Sequence, residues 1–199
     1  MAEKKTTQTR YGIHPAVAHM QAMARNLSAK TGKDLAAWIA VLEKDGPAIT
    51  KERQAWLKDV HGLGRDTAMT IIEYAEGRGE YDPDGLVEAM FTGPKAGLRP
   101  LYERMLEVGL ATAPDVFAAP CSTYVPFMRK RQFAVLKPTT RTRLDLGLAL
   151  GATPCEGRLV AAKNLGSDKI THRIGLERVE DIDAEVERWL RAAYEADAK

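Results

Sequence analysis

Hydrophobic residues recur along this chain first at helical spacing and later at every second position. Val17, Met20, Ala24 and Leu27 follow Pro15 at turn-by-turn intervals and predict an amphipathic helix over 15–30 that stops at Thr31-Gly32. A second helix over 34–44 sets Leu35, Trp38, Ile39 and Leu42 on one face and ends at Asp45-Gly46-Pro47. Thr50 offers an N-cap to a third, which carries Trp56, Leu57 and Val60 until Gly62 and Gly64 break it. A fourth covers 66–76. After Gly77-Arg78-Gly79 a Gly-, Pro- and Asp-rich stretch leads to a short apolar helix over 86–91, then Thr92-Gly93-Pro94, then a helix over 98–110.

From Pro114 onward the period becomes two. Leucines occupy alternate positions from Leu144 to Leu150, so they line one face of a strand while Arg143 and Asp145 point to the other. Further strands are predicted over 116–120, 124–128, 132–137 and 170–176, with Arg129-Lys130-Arg131 as a turn between two of them. Asp181 stands as the N-cap of a last helix that carries Ile182, Val186, Trp189, Leu190, Ala193 and Tyr194. The fold class expected is α+β: an all-helical module, then an antiparallel sheet flanked by helices. The division expected is a flexible tail over 1–12, a helical domain over 13–79, a connector over 80–94 and an α+β domain over 95–199. The connector is packed rather than loose, because Leu86, Val87, Met90 and Phe91 need burial.

Composition changes this picture little. The net charge of +2 is too small to argue for a nucleic-acid or anionic-membrane partner, and charge is balanced in both parts: 12 basic and 10 acidic residues over 1–80, 17 of each beyond. Local patches must therefore carry any electrostatic claim. Two cysteines, Cys121 and Cys155, lack CxxC spacing and are expected as reduced thiols. No stretch is long and apolar enough for a membrane span, and nothing apolar follows the first lysines, so a cytoplasmic protein, monomeric or weakly dimeric, is expected. No metal or cofactor motif is present, and none is expected.

The segment from Lys58 to Thr67 resembles a helix-hairpin-helix motif. Gly62 and Gly64 flank Leu63, a pattern that lets the amides opening the second helix approach a nucleic-acid phosphate while the leucine plugs the hairpin. Lys58 and Arg65 favour an anion there and Thr67 stands on the first turn; Asp59 and Asp66 oppose it. The competing reading is a tight turn that needs glycine only for its backbone angles. A second cationic feature is the run 129–143, which has no acidic residue. Its Arg129, Lys130 and Arg131 are candidates for a nucleic-acid surface, against the alternative of turn residues neutralised by the acidic last helix.

Arg143 and Arg173 on neighbouring strands could converge with Tyr124, Thr140 and His172 on a small anionic ligand, or form ion pairs. A protein partner in a groove on the same sheet is the other form of that alternative. For catalysis Cys121 is the nucleophile candidate of a hydrolase-like enzyme, yet no nucleophile elbow, zinc-binding HExxH or phosphate loop accompanies it.

Two longer patterns carry a family resemblance. His14-Pro15-Ala16-Val17, Thr31-Gly32-Lys33 with Trp38, Trp56-Leu57-Lys58 and His61-Gly62-Leu63-Gly64 resemble the bacterial domain-of-unknown-function family forty-two eighty-seven. Gly93-Pro94-Lys95, the stretch from Lys137 to Gly147, Ile170-Thr171-His172-Arg173 and Trp189-Leu190-Arg191 resemble family fifty-six fifty-five. The resemblance implies a two-domain chain and assigns no activity and no site residue. The expectation from the residues is thus a binding protein that contacts nucleic acid through the hairpin turn.

Overall fold

The structure, a computed structural model, describes residues 10–197. The described chain divides into two units: Ile13–Asp82 form one, and residues 10–12 with 83–197 form the other.

The first unit is helical: α1 (Pro15–Arg25), α2 (Leu27–Thr31), α3 (Leu35–Asp45), α4 (Thr50–His61) and α5 (Arg65–Ala75). Its core joins Leu27, Trp38, Leu42, Leu57, Leu63 and Ile71. The single helix expected over 15–30 is interrupted at Asn26, whose backbone leaves the helical range at φ −94° and ψ 3° while its amide still bonds back to Ala22 and Met23. The break turns Leu27 fully inward, whereas α1 buries no residue completely. Thr50 does not cap α4. The cap position falls on Ile49, and the Thr50 hydroxyl instead donates to Glu76 Oε1 at 2.8 Å, tying the start of α4 to the end of α5.

In the second unit α6 (Pro83–Met90), a 3₁₀ turn (Gly93–Leu98) and α7 (Arg99–Leu110) precede the strands. These are β1 (Phe117–Ala118), β2 (Val125–Met128), β3 (Gln132–Pro138), β4 (Leu144–Leu148), β5 (Val160–Ala161) and β6 (His172–Leu176), followed by α8 (Ala184–Asp197). All pairings are antiparallel, in the order β1-β2-β3-β4-β6-β5. The alternation in β4 has the expected sense: Leu144, Leu146 and Leu148 face a core shared with Ile174 and Leu176 of β6, Tyr102 and Met105 of α7, and Val186 and Leu190 of α8. Val87, Met90 and Phe91 of the α6 segment join the same core.

The opposite face of β4 is not open to solvent. The loop between β5 and β6 folds Leu165 and Ile170 onto Val135. It can approach because position 147 is glycine; a Cβ there would lie 2.5 to 2.7 Å from Leu165, Val135 and Ile170. The edge strand β5, two residues long, has no counterpart in the sequence expectation. The cap of α8 also moves. Asp181 closes the preceding 3₁₀ turn by accepting the Glu177 and Arg178 amides, and Asp183 accepts those of Glu185 and Val186 at the start of the helix.

Residues 1–9 of the expected tail lie outside the described residues. Arg10 to Gly12 are ordered into the α+β unit. Tyr11 is buried and bridges Ala118 of β1 in parallel, the Gly12 amide donates to the Ala118 carbonyl at 2.8 Å, and the Tyr11 and Tyr102 hydroxyls lie 2.9 Å apart. Aromatic burial wins over the polar composition of its neighbours. Among the described residues no helix is long and apolar enough to cross a membrane.

Candidate functional site

The turn between α4 and α5 is built by its two glycines in different ways. Gly62 ends α4 in the left-handed region at φ 68°, where only glycine is unstrained. The Gly62 amide bonds back to the Lys58 carbonyl and the Leu63 amide to that of Leu57, so the last carbonyls of α4 are satisfied and Leu63 drops into the core. Gly64 then opens α5 with extended backbone, φ −67° and ψ 157°, and no side chain caps the helix. The first amides of α5 have no intrahelical acceptor, by the geometry of any helix start. Gly62, Gly64 and Arg65 are exposed.

The turn borders an open groove of about 520 Å³, lined by Gly62, Leu63 and Gly64 but not by Arg65. Lys30, Lys33, Thr67 and the exposed Val60 line it together with both glycines. Lys33 is held with its ammonium 4.8 Å above the Trp38 ring, and that indole in turn donates to the Thr31 hydroxyl at 2.7 Å. His61 stands edge-on against Trp38 and Trp56, with its Nε2 buried and without a hydrogen-bond partner. Lys58 is exposed on α4 but does not line the groove. Lys30 and Lys33, from another part of the chain, were not among the sequence candidates. Only the Thr31-Gly32-Lys33 turn hinted at them, and its position beside the hairpin is a tertiary fact.

The basic run is different. Arg129 is paired with Asp115 at 2.6 Å and stacks 4.5 Å above the Tyr194 ring. Arg131 is paired with Asp197 at 2.9 Å. Both guanidiniums thus fasten the β2–β3 turn to neighbouring elements, Arg131 to α8 itself, and of the three candidates Lys130 alone projects without an ion pair. This geometry lends no support to a nucleic-acid surface at Arg129 to Arg131.

Arg143 and Arg173 do converge, but on a carboxylate. Asp145, 2% exposed, has Arg143 Nε at 3.0 Å and Arg173 Nη1 at 3.2 Å, and accepts the Thr139 hydroxyl at 2.7 Å. Strand register explains the meeting: Asp145 stands opposite Gly175, whose missing side chain leaves room for the Arg143 chain, and Arg173 lies two residues from Gly175 on the same face. His172 belongs to the other face. It is buried between the Thr171 hydroxyl and the Thr153 carbonyl, each 2.8 Å from a ring nitrogen. Tyr124 packs on the Val135, Leu165 and Ile170 cluster, and Thr140 is exposed in the β3–β4 turn with its hydroxyl accepting the Thr142 amide. The five proposed ligand residues are therefore not one site.

Cys121 is half-buried, with its thiol 3.8 Å from the Ala119 carbonyl. Burial pushes the thiol above its ordinary value, the opposite of what an activated nucleophile requires.

A helical hairpin unit and a helix-backed antiparallel sheet define the class: a two-unit α+β protein. The chain belongs to the family described as Domain of unknown function (DUF5655), which matches residues 87–197. Residues 19–77 match a second, Domain of unknown function (DUF4287). No curated protein and no solved structure matches the chain significantly.

Proposed function

We propose that this is a nucleic-acid-contacting protein whose α4–α5 hairpin holds a backbone phosphate at the start of α5. The observation that carries the reading is the uncapped, exposed Gly64 turn opening into a groove that also holds Lys30 and Lys33. Amide donors and a positive helix end favour an anion, and two ammonium groups add attraction without demanding a base sequence. Binding of this kind tracks the phosphates and weakens steeply with salt. Asp59 and Asp66 flank the turn and limit the affinity.

Gly64 permits a test that separates binding from folding. Its backbone is of a kind any residue adopts, and a Cβ there meets nothing within 4 Å. In Gly64→Asp the carboxylate takes the helix-start amides for itself, so stability holds or rises by a few tenths of a kcal/mol while phosphate is shut out. Fluorescence anisotropy with labelled single- and double-stranded DNA and RNA at low salt should show binding by the native chain that falls as salt rises, and roughly tenfold or greater loss in the variant. Absence of binding by the native chain, or equal binding by a folded Gly64→Asp, overturns the proposal.

A further inference from the structure

A second groove, of about 670 Å³, lies wholly within the α+β unit and belongs to none of the sites above. Lys95 enters it from the 3₁₀ turn, Lys137 from the end of β3 and Arg141 from the β3–β4 turn; Ser122 and Thr123 come from the β1–β2 turn. Among the described residues no acidic side chain lines it. Two of the cations are fixed in place without being neutralised. Lys95 Nζ donates to the Pro138 carbonyl at 2.6 Å and Lys137 Nζ to the Asn164 carbonyl at 3.4 Å, and a carbonyl carries no formal charge.

Asp145 stands opposite Lys137 in the β3–β4 pairing and accepts the hydroxyl of Thr139, which lines the wall, and its charge is offset by Arg143 and Arg173. Lys95, Lys137 and Arg141 thus line the groove without an ion pair among the described residues, and their positive charge is left un-neutralised. Its volume falls in the range of small-ligand sites. Among the described residues no aromatic ring lines it, so a base or other flat ring finds no stacking partner there. Ser122 and Thr123 are exposed hydroxyl donors at its rim.

We propose that this groove binds the phosphate group of a small phosphorylated metabolite, with Lys137 and Arg141 as its charged contacts and the Ser122-Thr123 turn as its hydroxyl contacts. Charge-assisted bonds of this kind are the strong ones available to a solvated site. The inference is independent of the hairpin, since no residue is shared.

The test is an amide-resolved NMR titration of the full chain with inorganic pyrophosphate. Saturable shifts are expected at Ser122, Thr123 and Arg141. Arg141→Glu, a change in an exposed turn, should weaken binding roughly tenfold or more, and Lys137→Gln should weaken it as well, with melting temperatures unchanged; Gly64→Asp should titrate like the native chain. The proposal is overturned if millimolar pyrophosphate produces no saturable shift in the β1–β2 and β3–β4 turns. Equal affinity in a folded Arg141→Glu chain overturns it too.

Discussion

Two glycines two positions apart carry different duties at the residue scale. Gly62 answers to the backbone, whose left-handed angle a side chain would strain by about 1 kcal/mol. Gly64 answers only to what comes near it, because its angles and its surroundings would admit a side chain. His14 shows how a side chain can serve a helix through one protonation state. Its Nδ1 accepts the Ala16 amide at the start of α1, which requires a neutral nitrogen, and burial holds the imidazole below its ordinary value. A folded-state value below the unfolded one means that the stabilisation is present above about pH 6.5 and is lost as pH falls through the folded value. Urea midpoints of the native chain should therefore decline over that interval. His14→Asn keeps a capping acceptor without the titration, and should flatten the decline.

The element scale shows what was legible. The Gly62-Leu63-Gly64 hairpin could be read because its pattern is local: the two glycines and the buried leucine lie within three positions. The leucine alternation of β4 was legible for the same reason, since period two reports a pleated face directly. The burial of Asp145 was not, because Arg173 reaches it from a strand far along the chain, and the same holds for the loop that lays Leu165 and Ile170 over Gly147. Nor was the placement of Lys30 and Lys33 beside the hairpin. Asp181 and Asp183 were both available as caps, and the choice was made by a 3₁₀ turn with no periodic signal. Helix α7 supplies a test of packing against propensity. Gly109 lies in its last turn against Phe127, and an added Cβ would collide with that ring. Alanine is the better helix former by about 1 kcal/mol, yet Gly109→Ala should lower the melting temperature, because overpacking a core typically costs about 1–3 kcal/mol. A higher melting temperature would show that Phe127 yields.

For the molecule as a whole, the chain starts its α+β unit, leaves it at Gly12 to build the helical unit, and returns at Pro83. The helical unit is thus inserted in the sequence of the unit that carries the sheet. Both ends of that sheet are brief. β1 and β5 have two residues each, and β1 is further covered by the Tyr11 bridge and the Gly12 amide. An open strand offers unpaired amides and carbonyls to any other chain that presents its own. Here the covering segment costs the chain three residues. Removing residues 1–12 should uncover the Ala118 carbonyl and the buried Tyr102 hydroxyl together. The shortened protein should then melt lower and, at high concentration, show a rising mass by light scattering. Those outcomes would give the three residues before the helical unit a duty in crowded solution, as a guard against self-association, that is separate from any ligand; an unchanged melting temperature and a constant mass would deny it.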